Sequence, residues 1–356
     1  MKKHLTISNI LRLTALILAL LLVPVFAVAE EAPSDEGWVS FFLLCNEVMT
    51  NEGVNVGNTM MVVSMNPESG NIRLMMFTWD TFVNYEGYDI PQLIGMPYRN
   101  NGPESTMEVF NTNFGTGIHN FISLNYMNLA ALIDDYGGVN VDISRAERNA
   151  LNGMVASKRQ SIQKQADSGL LTQLAVELLA KEYYLSDFGR DTHLNGLQAV
   201  GYGWLQYDSV YSCCQREVNV NADLFESIAR TINEKVVFYD NHADYPEGIN
   251  NRRVINLDEM SDDDVDFLLD IVHPIFQMTS NNLSDEDIKD ISMTLARIAY
   301  HAAREGVDIF RTLKTEIFPL EAKNEYDVVA GTQGHLVDYE ANAAKMKEFL
   351  YSISHD

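Results

Sequence analysis

The chain has 356 residues, 46% of them hydrophobic, enough for a sizeable core in one large domain or two modest ones. Asp and Glu number 50 against 25 Lys and Arg, a formal net charge of −25. That balance excludes nucleic acid as an expected partner, because phosphate binding needs cations to displace counterions, and any site for an anion must gather its positive groups locally.

At the N-terminus, Lys2, Lys3 and Arg12 precede "LTALILALLLVPVF" and then "AVAEEA". A basic flank, an apolar run and small residues at Ala27 and Ala29 predict a secretory signal over residues 1–29, cleaved after Ala29. The alternative is an uncleaved N-terminal helix that anchors the chain, although the run is short beside the roughly 20 residues of a bilayer span. Either way the body is expected outside the cytoplasmic membrane, with the membrane surface in reach. Residues 30–37 read as an acidic linker and 38–356 as a single domain.

The stretch "VSFFLLCNE" is continuous, aromatic and aliphatic, and too short for a helix, which predicts a buried strand. "NTMMVVSM", "NPESGN" and "IRLMMF" predict a β-hairpin, two apolar runs about a Pro/Ser/Gly/Asn turn. Met107, Phe110 and Phe114 space a short helix that Gly115 ends. Residues 121–124 then form a strand, and Tyr126, Leu129, Ala130 and Ile133 follow the amphipathic helical rule. Gly137-Gly138 supplies a left-handed stop, after which Val139, Val141 and Ile143 alternate as a strand. Strand–helix–strand of this kind is α/β organisation.

"HLNGLQAVGYGWLQYD" predicts a short helix running toward a strand, and Phe225, Ile228, Ala229, Ile232 and Val236 a further helical stripe. Residues 239–253 are polar and irregular. Ser261 caps a helix whose first turn carries Asp262, Asp263 and Asp264 beside the positive end of the dipole. Ser284 and Asp287 form a capping-box variant, with Gly306 closing that helix. The tail predicts strands around Phe310 to Phe318, Val328-Val329 and Leu336-Val337, then a helix from Glu340. Cysteine is confined to Cys45, Cys213 and Cys214. The vicinal pair could hold a soft metal or form a strained disulfide, but no zinc-ligand spacing is present.

Several of these segments, in order and spacing, resemble the LytR–CpsA–Psr family of cell-envelope proteins. The matching stretches are "NTMMVVSMNPESGNIRLMMFTWDTF", "NFGTGIHNFISLNYMNLAALIDDYGGVNVDIS", "HLNGLQAVGY" and "VVAGTQGHLVDYEANAAKMKEFL". Residues 156–187 and 237–284 match only loosely. The resemblance implies a three-layer α/β/α sandwich with a mixed central sheet. It also implies a bacterial envelope role: attaching glycopolymers such as teichoic acids from a polyprenyl-pyrophosphate carrier to peptidoglycan. In the family the lipid lies in an apolar tunnel, arginines neutralise the pyrophosphate and acidic residues hold Mg²⁺. Such phosphotransfer is catalysed chiefly by fixed positive charge.

The sequence departs from that pattern at the pocket. The family's Arg-Asp-Thr stands as Trp79-Asp80-Thr81, and its Tyr-Val-Arg-x-Arg as Tyr202-Gly203-Trp204-Leu205-Gln206. Its Phe-x-Arg-x-x-Arg stands as Tyr211-Ser212-Cys213-Cys214-Gln215-Arg216, and the acidic position before the first hairpin strand is Asn58. Arg216 alone keeps its arginine. A hydrogen bond to a charged group contributes roughly 1.5–3 kcal/mol, while a micromolar complex is held by only about 8 kcal/mol, so several such losses weaken a pyrophosphate site severely. Arg73, Arg99 and Arg190 are the nearest substitutes in sequence, and each also reads as an ordinary surface arginine.

What the resemblance leaves is Asp80 as a magnesium ligand and, with Arg216, as the catalytic pair. Trp79, Trp204, Gln206 and Asn58 occupy altered ligand-binding positions. The tryptophans read either as core filling the space of arginines or as a platform for a neutral sugar or lipid. Met60, Met61, Met75, Met76 and Phe77 read as tunnel lining or as plain core. Two functions follow. One is a divergent, catalytically impaired envelope protein that binds a polyprenyl-linked or glycan ligand or aids glycopolymer assembly. The other is an active phosphotransferase moving glycopolymers from polyprenyl pyrophosphate to peptidoglycan.

Overall fold

The computed structural model describes residues 35–47, 56–165, 167, 173–205, 208–242, 246, 249–277, 279–305, 312–320 and 327–353. The expected signal segment, Gln206, Gly306 and the side chain of Asn58 lie outside the described residues. In chain order the elements are β1 (Val39–Glu47), β2 (Val56–Asn66), β3 (Asn71–Phe77), β4 (Phe82–Val83), β5 (Gln92–Leu93), α1 (Met96–Asn101), α2 (Pro103–Phe114), β6 (Phe121–Asn125), α3 (Tyr126–Asp135) and β7 (Val139–Ile143). They continue as α4 (Arg145–Gln165), α5 (Gln173–Ala180), β8 (Gly189–Leu194), α6 (Gly196–Gly203), α7 (Val210–Lys235), β9 (Val236–Tyr239) and β10 (Arg253–Asn256). The last are α8 (Asp262–Gln277), β11 (Ser280–Asn281), α9 (Asp285–Glu305), β12 (Leu313–Phe318), β13 (Asp327–Val329), β14 (Thr332–Gly334) and α10 (Tyr339–Leu350).

Six strands form one mixed sheet in the order β11-β6-β1-β2-β3-β12. The β1/β2 and β2/β3 pairs are antiparallel, whereas β6 runs parallel to β1 and β12 parallel to β3. The "NPESGN" segment is the predicted turn: the Asn66 side chain accepts from the amides of Glu68 and Ser69, at 3.0 and 2.9 Å. The three central strands are apolar on both faces, so successive side chains supply opposite cores. Phe41, Leu43, Met61, Val63, Leu74 and Met76 enter one cluster, shared with α3, α6, α7, α8 and α9. Phe42, Leu44, Met60, Val62, Met75 and Phe77 enter the other, under α1, α2 and α10. The result is the expected α/β/α sandwich.

Local departures from the expectations have physical reasons. The strand–helix–strand reading holds for β6, α3 and β7, and Gly137 and Gly138 both take φ +86°. β7, however, leaves the central sheet and pairs antiparallel with β8. The strand expected after "LNGLQAVGY" does not form at Trp204-Leu205, where the buried ends of α6 turn toward α7. Leu336-Val337 is likewise not a strand, and the short pair lies earlier, between β13 and β14. The second half of α4 and all of α5 come from the loosely matching region. Leu151, Val155 and Ile162 of α4 are buried, a helical spacing that was present in the sequence.

Candidate functional site

The expected site positions gather at the edge of the sheet where β1 and β3 end and β2 begins. Cys45 of β1 sits opposite Thr59 of β2, and β3, paired to β2 through Met61 and Met76, carries the chain out to Trp79 and Asp80. Asp80 is 7% exposed. Its main-chain oxygen accepts from the His335 amide at 2.7 Å, and its carboxylate lies 3.9 Å from His335 Nε2. The Phe82 amide donates to the His335 carbonyl at 2.8 Å, so the loop after β3 and the loop after β14 clasp each other. A Cβ on Gly334 would stand 2.3 Å from the Asp80 carbonyl oxygen, so this close approach requires glycine. Trp79 is half-buried and packs against both cores.

The opposite wall comes from α6 and α7. Asn195 caps α6 in a full capping box with Gln198, and Gly196 lies so close to Ala130 of α3 that a Cβ would meet its carbonyl oxygen at 1.7 Å. The start of α6 is thus anchored on α3, and the helix runs to its C-cap at Trp204. Arg216 on α7 is 4% exposed. Its two terminal nitrogens hold Asp208 in a bidentate pair at 2.9 and 2.7 Å, with Glu147 Oε1 at 3.5 Å and the Leu205 carbonyl also accepting. Burial opposes the arginine's charge, but the Asp208 bonds outweigh it, and its pKa is raised. In return, the Arg216 hydrogen bond holds Asp208 down at about 2. The structure therefore uses Arg216 to close the α6–α7 connection, against two carboxylates.

Next to Arg216 stands Glu217, fully buried, with the Thr59 hydroxyl and the Trp204 indole within hydrogen-bond reach. Burial pushes its carboxyl well above the usual range despite those two bonds. Trp204 is 6% exposed. Tyr126 meets it edge-on at 6.1 Å, and Lys158 of α4 lies 4.7 Å from its ring centre and 5.0 Å from that of Tyr126. A cation over two rings is attracted to their negative faces. Cys45 feels both Glu217 and Lys158, and Cys214 feels both Glu217 and Asp80, which places the five groups in one electrostatic neighbourhood.

The structure thus brings Asp80, Trp204 and the α7 segment carrying Arg216 to the same end of the sheet, and adds Lys158, Glu217 and His335, which the sequence reading did not single out. The arginines considered as substitutes lie elsewhere. Arg73, 1% exposed at the other end of β3, bonds the Ser352 and Thr312 carbonyls. Arg99 and Arg190 are exposed on α1 and β8. The methionines do not share one tunnel: Met60, Met75 and Phe77 face one core, Met61 and Met76 the other. What remains between the sheet and the α3, α7, α8 and α9 layer is an apolar cavity of about 40 Å³ lined by Leu43, Leu129, Phe225 and Ile275 among others.

All three cysteines are unpaired in disulfides and buried. Burial pushes their thiols up, that of Cys213 to about 12, so they act as small core residues. Among the described residues no three His, Cys, Asp or Glu side chains converge as a metal site. Magnesium requires several oxygens in octahedral array; Asp80 faces a histidine, and Glu217 is buried with its carboxyl raised by that burial. These donors do not by themselves fit the ion.

A model of the LytR_cpsA_psr family matches residues 34–217, more than half of the chain. The chain belongs to the LytR_cpsA_psr family. Among solved LytR_cpsA_psr-like structures, B. subtilis TagV superposes with a TM-score of 0.56 at 13% identity, covering 88% of this chain and 98% of its own. Protein gbs0355 from Streptococcus agalactiae gives 0.54 at 14%, covering 90% of each chain, and TagT bound to LIIa-WTA gives 0.53 at 12%, covering 92% and 94%. At such identities these likenesses bear on the fold alone, and they agree with the family's sandwich. A search of curated protein sequences finds no match.

Proposed function

We propose that this LytR_cpsA_psr member is an exported cell-envelope protein that binds a polyprenyl-linked or glycan ligand, or aids glycopolymer assembly, without itself transferring a phosphoryl group. The family is linked to glycopolymer attachment at the cell wall, and TagT has been captured with LIIa-WTA. The observation that carries the reading is Arg216: the one arginine retained at the family's positions is locked by Asp208 and Glu147, while the buried Glu217 and Trp204 fill the ground beside it. Phosphotransfer needs net positive charge aimed at the migrating phosphoryl group. Here the fixed charge is largely cancelled.

Export rests on the N-terminal pattern of residues 1–29; among the described residues no helix is long and apolar enough to cross a membrane. A lipid chain would have to enlarge the 40 Å³ cavity between sheet and helices. The test is transfer of a radiolabelled glycopolymer from its polyprenyl-pyrophosphate carrier to peptidoglycan. The proposal expects product at the level of the protein-free control, and turnover above it would reject the proposal.

One observation favours the second reading, an active phosphotransferase. Lys158 is a cation delivered to the Trp204 position from another helix, and with Arg216 and His335 it could meet a pyrophosphate. In that case Lys158→Ala abolishes turnover while leaving the fold intact.

A further inference from the structure

The loop that leaves Asp80 continues through β4 into Asn84–Tyr88 and forms one wall of a second, larger recess of about 580 Å³, facing α2. Its floor is Tyr85 and Val109, both buried, and its rim is exposed and polar: Asn84, Glu86, Asn101, Glu108 and Thr112. Tyr85 and Tyr88 stack at 5.3 Å with their planes 20° apart, and Tyr88 remains 46% exposed.

The pair is held in place rather than left to flap. Consecutive asparagines at the end of α1 fix both hydroxyls, Asn101 Nδ2 donating to Tyr85 at 2.6 Å and Asn100 Nδ2 to Tyr88 at 3.1 Å. Asn113 of α2 fixes the loop itself, its side chain accepting from the Asn84 amide at 2.9 Å and donating to the Asn84 carbonyl at 2.8 Å. A preorganised aromatic face loses little side-chain entropy on binding.

The lining selects the ligand class. Two carboxylates and no lysine or arginine line the recess among the described residues, which disfavours phosphates and other anions. Amides and hydroxyls around an exposed aromatic face suit a molecule with apolar C–H faces and many hydroxyl or acetamido groups. We propose that this recess is a binding site for a neutral oligosaccharide, with Tyr88 as its stacking platform. The inference does not depend on whether the Asp80 pocket transfers anything.

The test is calorimetric titration of the whole protein with a neutral β-linked N-acetylglucosamine oligomer, with a glycerol-phosphate oligomer as the anionic comparison. The neutral probe should bind, Tyr88→Ala should weaken it about three- to tenfold, and Tyr88→Phe should stay near wild type. Because Tyr88 is exposed, the alanine variant keeps the fold, which circular dichroism verifies. No binding of the neutral probe to folded protein, equal binding by Tyr88→Ala, or equal or tighter binding of the anionic oligomer would each overturn the proposal.

Discussion

Removing the Arg216 guanidinium leaves Asp208 and Glu147 beside each other without their shared cation. Arg216→Ala is therefore expected to cost about 1.5–3 kcal/mol in urea unfolding, a stability effect that a purely ligand-facing arginine would not show. The same pair predicts an acid dependence. Asp208 sits at about 2 when folded, below its unfolded value of about 3.9. Its contribution is thus complete above the unfolded value and is lost as pH falls toward about 2. Asp208→Asn should flatten that limb of the stability curve. Glu217 has the opposite sign, because burial raises its folded value. What it contributes is fully present below about 4.3 and is lost as pH rises through the higher folded value. Glu217→Gln should accordingly raise the melting temperature at pH 8 by about 2–4 °C, the shift expected for about 1 kcal/mol, and by much less at pH 4. A difference that does not grow with pH would mean that the carboxyl is not buried as a neutral acid.

At the scale of elements, contacts between helices matter more than any helix's own propensity. The start of α6 rests directly on the Ala130 carbonyl of α3, so Gly196→Ala must push the two helices apart. A loss of about 3 kcal/mol or more is expected, measured as a fall in the urea midpoint. Much of this layer was legible beforehand. The period-3.6 stripe and glycine pair gave α3 and its stop, the alternating and continuous apolar runs gave β1, β2, β3 and β6, and serine–aspartate spacing gave the starts of α8 and α9, where Ser261 and Ser284 bond Asp264 and Asp287. What was not legible depended on distant partners. β7 has a strand's alternation, but only its pairing with β8 shows that it lies outside the sheet. Lys158 sits in a polar stretch of α4 and becomes part of the pocket only because α4 packs its Val155 against Gly201 of α6, under Trp204. Arg216 was singled out by resemblance, and the structure pairs it with Asp208 and Glu147. Its partner Asp208 could have been suspected from the eight-residue spacing only if the turn between α6 and α7 had been anticipated.

At the scale of the molecule, the two cores on either face of the sheet account for the apolar fraction of the sequence, and the −25 charge is left to the surface and the helix starts. The family's fold is retained, and under the proposed function the ground around Asp80 and Arg216 serves to pack Trp204 and the buried Glu217 rather than to gather positive charge. That is the central claim, and binding tests it most directly. A short-chain polyprenyl pyrophosphate and the matching uncharged polyprenol would each be titrated into the purified protein, with and without Mg²⁺. The account predicts that the pyrophosphate binds no more tightly than the alcohol and that Mg²⁺ changes neither. A pyrophosphate preference of about tenfold or more, corresponding to about 1.4 kcal/mol, that disappears in Lys158→Ala or Asp80→Ala would contradict it and restore the pocket as an anion site.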